Sequence, residues 1–426
     1  MADTILHNHD HDGVDRRGFL KCMAWAGTGA LWAMQGGVLR SVPLGRDPAA
    51  AAGFGGDLFF AQISDSHIGF DKEANKDVTG TLQSAVDRLN ALPHRPAFVL
   101  HTGDISQLSK PSEFDTADQI IGRIRSDRAF FVPGEHDVLG DNGRQYLDRY
   151  GKKTVGDGWY SFDHSGVHFI GLVNVLNLKP GGLGNLGAAQ LAWLRNDLAR
   201  RSASTPIVVF AHVPLWTVYP DWGWGTDDSE QALALLRRFG SVTVLNGHIH
   251  QIMQKVEGNV AFHTAMSTAF PQPAPGTAPS PGPLKVEPAR LRSLLGLATV
   301  TYHQGHHSLA VVDSPLAAAP AGMSAAPPPV QHESAAAGPA MVGDALAIRI
   351  DNFSFTPPEL RVPKGGKVTW INGDDVPHLI ASADNRFRPS PVLDTNEHFT
   401  LTLDRPGSYP YYCSLHPKMT GRIVVA

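Results

Sequence analysis

Short apolar runs alternate with longer segments of helical periodicity between residues 58 and 245 of the chain. The runs rich in Val, Ile, Leu and Phe predict strands at Leu58–Ile63, Ala97–His101, Ala129–Val132, Val167–Val173, Ile207–Ala211 and Val242–Leu245. The helical segments lie near Thr79–Leu92, Phe114–Ile124, Ala188–Arg200 and Ser229–Arg238. Strands interleaved with helices predict an α/β sheet with helices on its faces.

From Gly343 onward the pattern changes to strands alone, separated by Pro and Gly turns. These strands predict a small all-β sandwich and lie at Ala345–Ile350, Lys367–Ile371, His378–Ala381, His398–Leu403 and Gly421–Val425. The preceding segment, Leu316–Val342, is almost entirely Ala, Pro, Gly and Ser, which is typical of a linker. We therefore expect a leader at 1–52, an α/β domain at 53–315, a linker at 316–342 and a β domain at 343–426.

The N-terminus has the pattern of an export signal. Residues Asp15–Lys21 resemble the twin-arginine motif, an apolar run follows from Cys22 to Leu39, and Ala49–Ala52 offers small residues for cleavage. A membrane anchor is the alternative, but glycines such as Gly27 and Gly36 dilute the run. We expect a periplasmic or secreted mature protein that keeps no stable membrane anchor.

Charge and cysteine content narrow the classes of function. The net charge of -4 over 426 residues speaks against nucleic acid as the main partner, because proteins that bind nucleic acid usually carry an excess of positive charge. The two cysteines are Cys22 and Cys413. Removal of the leader would leave Cys413 without a partner for an internal disulfide, so metal ligation is its best explanation.

Polar side chains follow five of the predicted strands, at the point where each strand ends. They are Asp65, Asp104, Glu135, His212 and His248. In open α/β sheets, sites form beyond the carboxyl ends of the strands, so these side chains are expected at one rim. Carboxylate and imidazole ligands of this kind suit a dinuclear hydrolytic centre.

The full motif set resembles the calcineurin-like metallophosphoesterases, in particular their class III cyclic-nucleotide phosphodiesterase-like branch. It consists of Asp65-Ser-His67, Gly103-Asp104, Gly134-Glu135-His136-Asp137, Ala211-His212 and Gly247-His248-Ile-His250. The resemblance implies an α/β sandwich of two sheets flanked by helices. It also implies two divalent or trivalent ions (Fe, Mn or Zn) and a phosphoester substrate, with nucleotides among the candidates.

The resemblance also implies a role for each residue. Asp104 would bridge the two metals. The remaining ligands would be Asp65, His67 and His250 for one metal and Glu135, His212 and His248 for the other. His136 would protonate the leaving group, and Asp137 would orient His136.

Two positions depart from the family pattern. Glu135 stands where the family has Asn, which adds a negative charge and a methylene group. Glu135 can serve as a ligand, or it can crowd or repel the substrate phosphate. Gln107 stands where Ser/Thr phosphatases of this fold carry Asp, which speaks against that subgroup.

A second motif set is compact and lies in the predicted β domain. It consists of Pro377-His378 and Cys413-Ser-Leu-His416-Pro-Lys-Met419. A thiolate, two imidazoles and a thioether are the ligands of a blue-copper centre. The set resembles the cupredoxins, most closely their amicyanin branch. The resemblance implies one copper ion held by His378, Cys413 and His416 with axial Met419, and electron exchange with a redox protein partner.

The remaining histidines suggest no third site. We expect His303, His306 and His307 in a solvated loop, His263 in a strand, and His332 and His398 without a ligand role. The aromatic segment Trp216–Trp224 is either a lid that stacks on a substrate ring or simple packing, and the sequence leaves both open.

The leading functional hypothesis is an exported phosphoesterase, acting on phosphodiesters and joined to an electron-transfer copper domain. If the dinuclear site holds iron, the copper domain could set its oxidation state. The alternative is a redox or copper-handling protein whose phosphoesterase-like domain has little turnover, and Glu135 keeps this alternative open. A structural interaction module is disfavoured because both sites are chemically complete.

Overall fold

The computed structural model describes residues 30–35, 38–43, 58–303, 309–318, 341–342 and 345–426. The twin-arginine motif, the cleavage segment, His306, His307, His332 and most of the predicted linker lie outside these ranges. Ala30–Gln35 (β1) and Val38–Pro43 (β2) pair antiparallel. Residues 56–426 form one compact unit. Within the described ranges, no helix is long and apolar enough to cross a membrane.

The first part of the compact unit, residues 58–318, is an α/β domain. Its strands are β3 (Leu58–Ile63), β4 (Val99–His101), β5 (Ala129–Phe131), β6 (Tyr160–His164), β7 (Val167–Gly171), β8 (Ile207–Ala211), β9 (Val242–Asn246), β10 (Gln254–Glu257), β11 (Val260–Thr264), β12 (Gly296–Tyr302) and β13 (Ala310–Pro315). Its helices are α1 (Val78–Asn90), α2 (Pro111–Ile121), α3 (Arg144–Tyr150), α4 (Ala188–Ala199), α5 (Ser229–Leu236) and α6 (Pro288–Leu294).

The strands of the α/β domain form two sheets packed face to face. One sheet has the order β13-β12-β3-β4-β5 and the other β10-β11-β9-β8-β7-β6. The central strands β3, β4 and β5 are parallel, as are β7, β8, β9 and β11. Phe60, Phe169 and Phe210 fill the space between the sheets. Helices α1 and α2 pack on the outer face of one sheet, and α4 and α5 on that of the other.

The second part, residues 341–426, is an all-β sandwich. Its strands are β14 (Met341–Val342), β15 (Ala345–Asp351), β16 (Ser354–Thr356), β17 (Glu359–Val362), β18 (Gly366–Asn372), β19 (Ile380–Ser382), β20 (His398–Leu403), β21 (Gly407–Cys413) and β22 (Thr420–Val425). One sheet runs β14-β15-β18-β20 with β16 beside β15, and the other runs β17-β22-β21-β19. The predicted fold class, a two-sheet α/β sandwich followed by an all-β sandwich, is confirmed.

The β domain packs directly against the α/β domain. Leu139 of the α/β domain is buried within the hydrophobic core cluster of the β domain, beside residues such as Leu415. Three polar contacts accompany it: Gly181 N to Pro417 O at 2.6 Å, Lys72 Nζ to Asp394 Oδ2 at 3.7 Å, and Lys285 Nζ to Asp375 Oδ2 at 3.7 Å. A buried leucine between two cores fixes the contact more firmly than the exposed ion pairs, which are individually weak.

Candidate metal centres

The loops after the parallel strands turn sharply, and their functional side chains occupy the turns. Asp65, His67, Asp104, His248 and His250 have φ values of 53°, 41°, 52°, 70° and 53°. These residues lie in the left-handed region, which costs energy for any residue with a Cβ. Such strain persists where the surrounding structure enforces it, and it clusters at functional sites.

Gly134 allows the loop after β5 to approach Asp104 closely. A Cβ at this position would lie 2.0 Å from Asp104 Oδ1, so even alanine would displace the carboxylate. The amide of His136, two residues later, donates to the same Oδ1 at 3.0 Å. Asp104 Oδ1 is therefore held by backbone, which leaves Oδ2 free to face the histidines.

The first group of metal donors consists of Asp65, His67 and His250. His250 Nε2 lies 3.2 Å from His67 Nε2 and 3.3 Å from Asp65 Oδ1. His67 Nε2 in turn lies 3.5 Å from Asp104 Oδ2. All four side chains are buried.

The second group consists of Glu135, His212 and His248. The two oxygens of Glu135 divide between the histidines: Oε2 lies 3.0 Å from His212 Nε2, and Oε1 lies 3.0 Å from His248 Nδ1. His212 Nε2 also lies 3.2 Å from Asp104 Oδ2. One oxygen of Asp104 thus stands between the two groups, at the place expected of a bridging ligand.

The donor spacing fits metal ions. Donors that bind one ion at about 2.1 Å are roughly 3.0–3.4 Å apart in octahedral or tetrahedral geometry. Burial alone would raise the pKa of Asp65 and of Glu135, but the neighbouring imidazoles lower both. Burial would lower the pKa of His212, yet Asp104 and Glu135 raise it well above its usual value. This concentration of buried negative charge calls for cations.

Each of three site histidines is held by a hydrogen bond on its far side. His212 Nδ1 donates to Thr102 O at 2.7 Å, and His250 Nδ1 donates to Phe270 O at 2.6 Å. Both bonds leave Nε2 as the free donor for a metal. His67 Nδ1 pairs with Gln107 Oε1 at 2.9 Å. This contact gives Gln107 a supporting role that was not predicted from its departure from the Ser/Thr phosphatase pattern.

His136 borders the same donor atoms, whereas Asp137 does not orient it. His136 Nδ1 donates to Gln107 O at 2.8 Å. The carboxylate of Asp137 is occupied elsewhere, because it accepts the amides of Ile105, Ser106 and Gly134 and the hydroxyl of Ser106. The prediction that Asp137 orients His136 is therefore wrong. Asp137 instead ties the loop after β4 to the loop after β5.

The copper ligands predicted in the β domain also come together. Cys413 Sγ lies 3.4 Å from His378 Nδ1 and 3.7 Å from His416 Nδ1, and the two nitrogens are 3.3 Å apart. A point equidistant from these three atoms lies about 2 Å from each, a normal metal–ligand length. Met419 is buried in the same core cluster, and its carbonyl accepts the amide of Cys413.

The surroundings of Cys413 favour the thiolate that a metal needs. Burial alone would raise the pKa of the Cys413 thiol, but His378 and His416 lower it well below its usual value. His378 Nε2 is also hydrogen-bonded to Asp374 Oδ2 at 2.8 Å. This bond fixes the ring so that Nδ1 faces the thiolate, which is the support that a ligating imidazole requires.

Comparison with known proteins identifies the families of both domains. A profile of the calcineurin-like phosphoesterases matches residues 60–252, and a profile of cupredoxin-like domains matches residues 330–425. The chain contains a calcineurin-like phosphoesterase domain and a cupredoxin-like domain.

Individual relatives match one domain each. A glycerophosphodiester phosphodiesterase from Enterobacter lignolyticus is 27% identical over 228 residues, 51% of this chain and 79% of that protein. Amicyanin from Paracoccus versutus is 29% identical over 101 residues, 22% of this chain and 76% of that protein. A solved dimetal phosphatase from Danio rerio covers 61% of this chain and 96% of its own, with 16% identity and a TM-score of 0.46. The two family matches and the sequence relatives support a phosphoric ester hydrolase domain and a copper-binding cupredoxin domain.

One cavity is bordered by donor residues of the dinuclear centre and by the copper donor His416. Its lining includes His67, Asp104 and Glu135 of the phosphoesterase domain together with Phe353 and His416 of the cupredoxin domain. The cavity volume is about 30 Å³, enough for only a few water molecules. We call the cupredoxin residues Phe353, Val376 and His416 the roof of the cavity.

The aromatic segment Trp216–Trp224, for which lid and packing were both left open, divides between the two roles. Trp222 and Trp224 line the cavity. Trp216 is not part of that lining and packs on Phe262, with ring centroids 5.1 Å apart. Tyr219 contacts Trp222 edge to face. Trp222 is thus the partly exposed aromatic ring that borders the site.

Proposed function

We propose that the chain is an exported phosphoesterase that hydrolyses phosphodiesters at the dinuclear centre and uses its cupredoxin domain as a type 1 copper site. The observation that best supports a dinuclear centre is the position of Asp104 Oδ2. It lies 3.5 Å from His67 Nε2 of the first donor group and 3.2 Å from His212 Nε2 of the second. A single carboxylate oxygen between two complete donor groups is what a pair of ions requires.

The donor residues prepare the site for attack by water on phosphorus. Two bound metals would lower the pKa of a shared water and neutralise charge on the phosphate. The chain fixes the geometry: Gln107, Thr102 and Phe270 hold three imidazoles, and the backbone holds Asp104 Oδ1. Such preorganisation removes the need for side chains to reorient during the reaction.

His136 is the group that we assign to leaving-group protonation. Its Nδ1 donates to Gln107 O, so the ring plane is fixed and Nε2 is left to face the cavity. In the doubly protonated form, Nδ1 keeps this bond while the Nε2 proton passes to the departing oxygen. His136 shares the donor cluster with His67 and Asp104, and this proximity supports its assignment as the acid of the reaction.

The small cavity bears on the choice of substrate. Because the cavity is narrow, we expect a bulky phosphodiester to require displacement of the roof. Phe353 and Trp222 border the cavity from opposite domains and are only partly buried. We expect substrates with a compact leaving group to be favoured over bulky ones.

The test is hydrolysis of a chromogenic phosphodiester by the manganese-loaded mature chain. His136→Ala removes the proposed acid, and His398→Ala serves as the matched control because His398 is exposed on β20. We expect activity that falls at least about 100-fold in His136→Ala and is unchanged in His398→Ala. Equal activity in all three proteins would refute the role of His136. No activity in any of them would favour the redox protein with little turnover.

Export rests on the twin-arginine pattern at Arg16 and Arg17. In cell fractionation, we expect the unaltered chain outside the cytoplasm in a form shortened by its leader. A double substitution of Arg16 and Arg17 by lysine should retain the full-length chain inside. Export of the substituted chain at the normal level would contradict this part of the proposal.

A further inference from the structure

His416, a predicted copper ligand of the cupredoxin domain, lies beside donor residues of the dinuclear centre. A ring nitrogen of His416 lies within 4.8 Å of a ligand atom of Glu135 and of a ring nitrogen of His136. Because His416 Nδ1 faces Cys413 and His378, Nε2 is the nitrogen left for this contact. One imidazole therefore borders the copper site on one edge and the phosphoesterase cavity on the other.

The packing of the domains fixes this imidazole in place. Pro417, the residue after His416, accepts the amide of Gly181 at 2.6 Å. The neighbouring Leu415 belongs to the same core cluster as Leu139 of the phosphoesterase domain. Phe353 packs on the His416 ring with centroids 4.7 Å apart. The copper-binding loop is thus attached to the phosphoesterase domain on both sides of His416.

We propose that His416 and Glu135 form an electron-transfer junction, through which the copper centre sets the oxidation state of a dinuclear iron centre in the same chain. The step moves one electron: Cu(I) held by Cys413 and His416 becomes Cu(II), and Fe(III) held by Glu135 becomes Fe(II). No bond or proton is exchanged. An external one-electron donor, such as ascorbate, then restores Cu(I).

The proposed electron-transfer route from the copper site to the dinuclear site is short, because the electron crosses open space only once, between His416 and Glu135. The electron passes from the copper site across the His416 ring, over at most 4.8 Å to Glu135, and on to the ion that Glu135 binds. Electron tunnelling falls off steeply with the length of such gaps. The edge of the His416 ring that faces Glu135 lies in the cavity. In this proposal, electrons leave through that edge toward the dinuclear centre. An external redox protein would therefore bind at a different surface of the cupredoxin domain.

The proposal rests on the proposed function only in that both sites bind metal. It does not require the chain to hydrolyse a phosphodiester. Hydrolysis by the zinc-loaded chain, which has no redox-active ion at the dinuclear site, tests the hydrolase separately. A chain that does not hydrolyse phosphodiesters can therefore still support the electron-transfer proposal, and a chain that does not transfer electrons can still be a hydrolase.

The experiment uses the full chain loaded with copper and iron under anaerobic conditions. Protein with Cu(I) and ferric iron is prepared, and the visible absorption of the Cu(II)–thiolate pair is followed in time, with iron oxidation state read by electron paramagnetic resonance. The reverse preparation, Cu(II) with ferrous iron, is followed in the same way. One of the two directions must be energetically downhill, so transfer is expected in at least one.

We expect a first-order change whose rate constant does not depend on protein concentration, and no change in the zinc-loaded chain. Leu139→Asp places a charge in the contact between the cores and should slow the transfer at least about tenfold. Val256→Asp is the matched control because Val256 is 67% exposed. An unaltered copper absorption band would show that the copper site of Leu139→Asp is intact. A variant without that band is replaced by Leu139→Ala.

Two results would overturn the proposal. One is the absence of transfer in both directions in a chain that holds copper and iron. The other is a rate proportional to protein concentration and equal in Leu139→Asp and Val256→Asp, because that behaviour belongs to collisions between molecules.

Discussion

Glu135→Asn tests whether the unusual glutamate is a working ligand or an obstacle. Glu135 reaches both His212 Nε2 and His248 Nδ1 at 3.0 Å with separate oxygens. Asparagine is shorter by one methylene group, about 1.5 Å, and offers one neutral oxygen. It can replace one of the two contacts at most.

The magnitude follows from the lost contact. One charge-assisted interaction of a buried group contributes about 1.5–3 kcal/mol, which corresponds to roughly 10- to 100-fold in binding of the second metal. The first donor group contains no atom of Glu135, so its affinity should change little. Turnover should fall at limiting metal and recover in part at excess metal.

The assay is a two-site titration with Mn²⁺ followed by calorimetry, together with hydrolysis at each metal concentration. Glu135→Gln keeps the length and removes the charge, and it separates the two causes. Glu113→Gln is the control because Glu113 is buried at the start of α2 and accepts the amides of Leu108 and Lys110. Unchanged or tighter second-site binding in Glu135→Asn, with higher turnover, would show that Glu135 attenuates the site.

Four further substitutions have defined outcomes. Gln107→Leu leaves His67 Nδ1 without its acceptor and should weaken first-site metal binding about 10–100-fold by titration, whereas equal affinity would refute the supporting role. Cys413→Ser should abolish the visible copper band and retain hydrolysis by the zinc-loaded chain, and a persisting band would contradict the ligand set. Phe353→Ala should raise the rate for bulky diesters relative to compact ones, and an unchanged ratio would exclude it as a barrier. Asp137→Ala should destabilise the chain by about 3 kcal/mol in denaturant titration, because four hydrogen bonds are lost, and unaltered stability would refute its structural role.

The sequence predicted several buried strands closely, but it missed the buried strand β12 and the exposed strand β10. Predicted strands at Leu58–Ile63 and Ile207–Ala211 coincide with β3 and β8, since a fully buried strand must be apolar throughout. Strand β10 was missed because all four residues of Gln254–Glu257 are exposed and three of them are polar. Strand β14 lies within the segment predicted as linker, because two residues are too few for a pattern.

The donor groups were accessible from sequence, whereas their surroundings were not. Strand ends of a parallel sheet lie side by side, so Asp65 after β3 and Asp104 after β4 could be placed together in advance, whereas His212 follows β8 of the other sheet. The hydrogen-bond partners of the Asp137 carboxylate depend on the detailed paths of two loops. The position of Asp137 next to His136 in the sequence does not predict those paths. The supporting role of Gln107 could have been predicted, because Gln107 follows Asp104 by three residues in the same turn and its amide oxygen can accept a hydrogen bond from a ligand imidazole.

The proximity of His416 to Glu135 could not be predicted from the sequence. Each residue belongs to a motif that is complete within its own domain, and neither motif indicates what lies across from it. The contact arises from the packing of Leu139 against the cupredoxin core and from the hydrogen bond of Gly181 to Pro417. The Leu139 packing and the Gly181 hydrogen bond both depend on the shapes of the two domain surfaces, which no periodic pattern in the sequence predicts.

The most direct test is a crystal structure of the copper- and iron-loaded chain with anomalous difference maps at the copper and iron absorption edges. We expect two iron peaks, one at each donor group on either side of Asp104, and one copper peak among His378, Cys413 and His416, with the His416 ring between copper and the nearer iron. Copper at the dinuclear site, a single iron peak, or a cupredoxin domain positioned away from Glu135 would contradict the arrangement of two centres around one cavity.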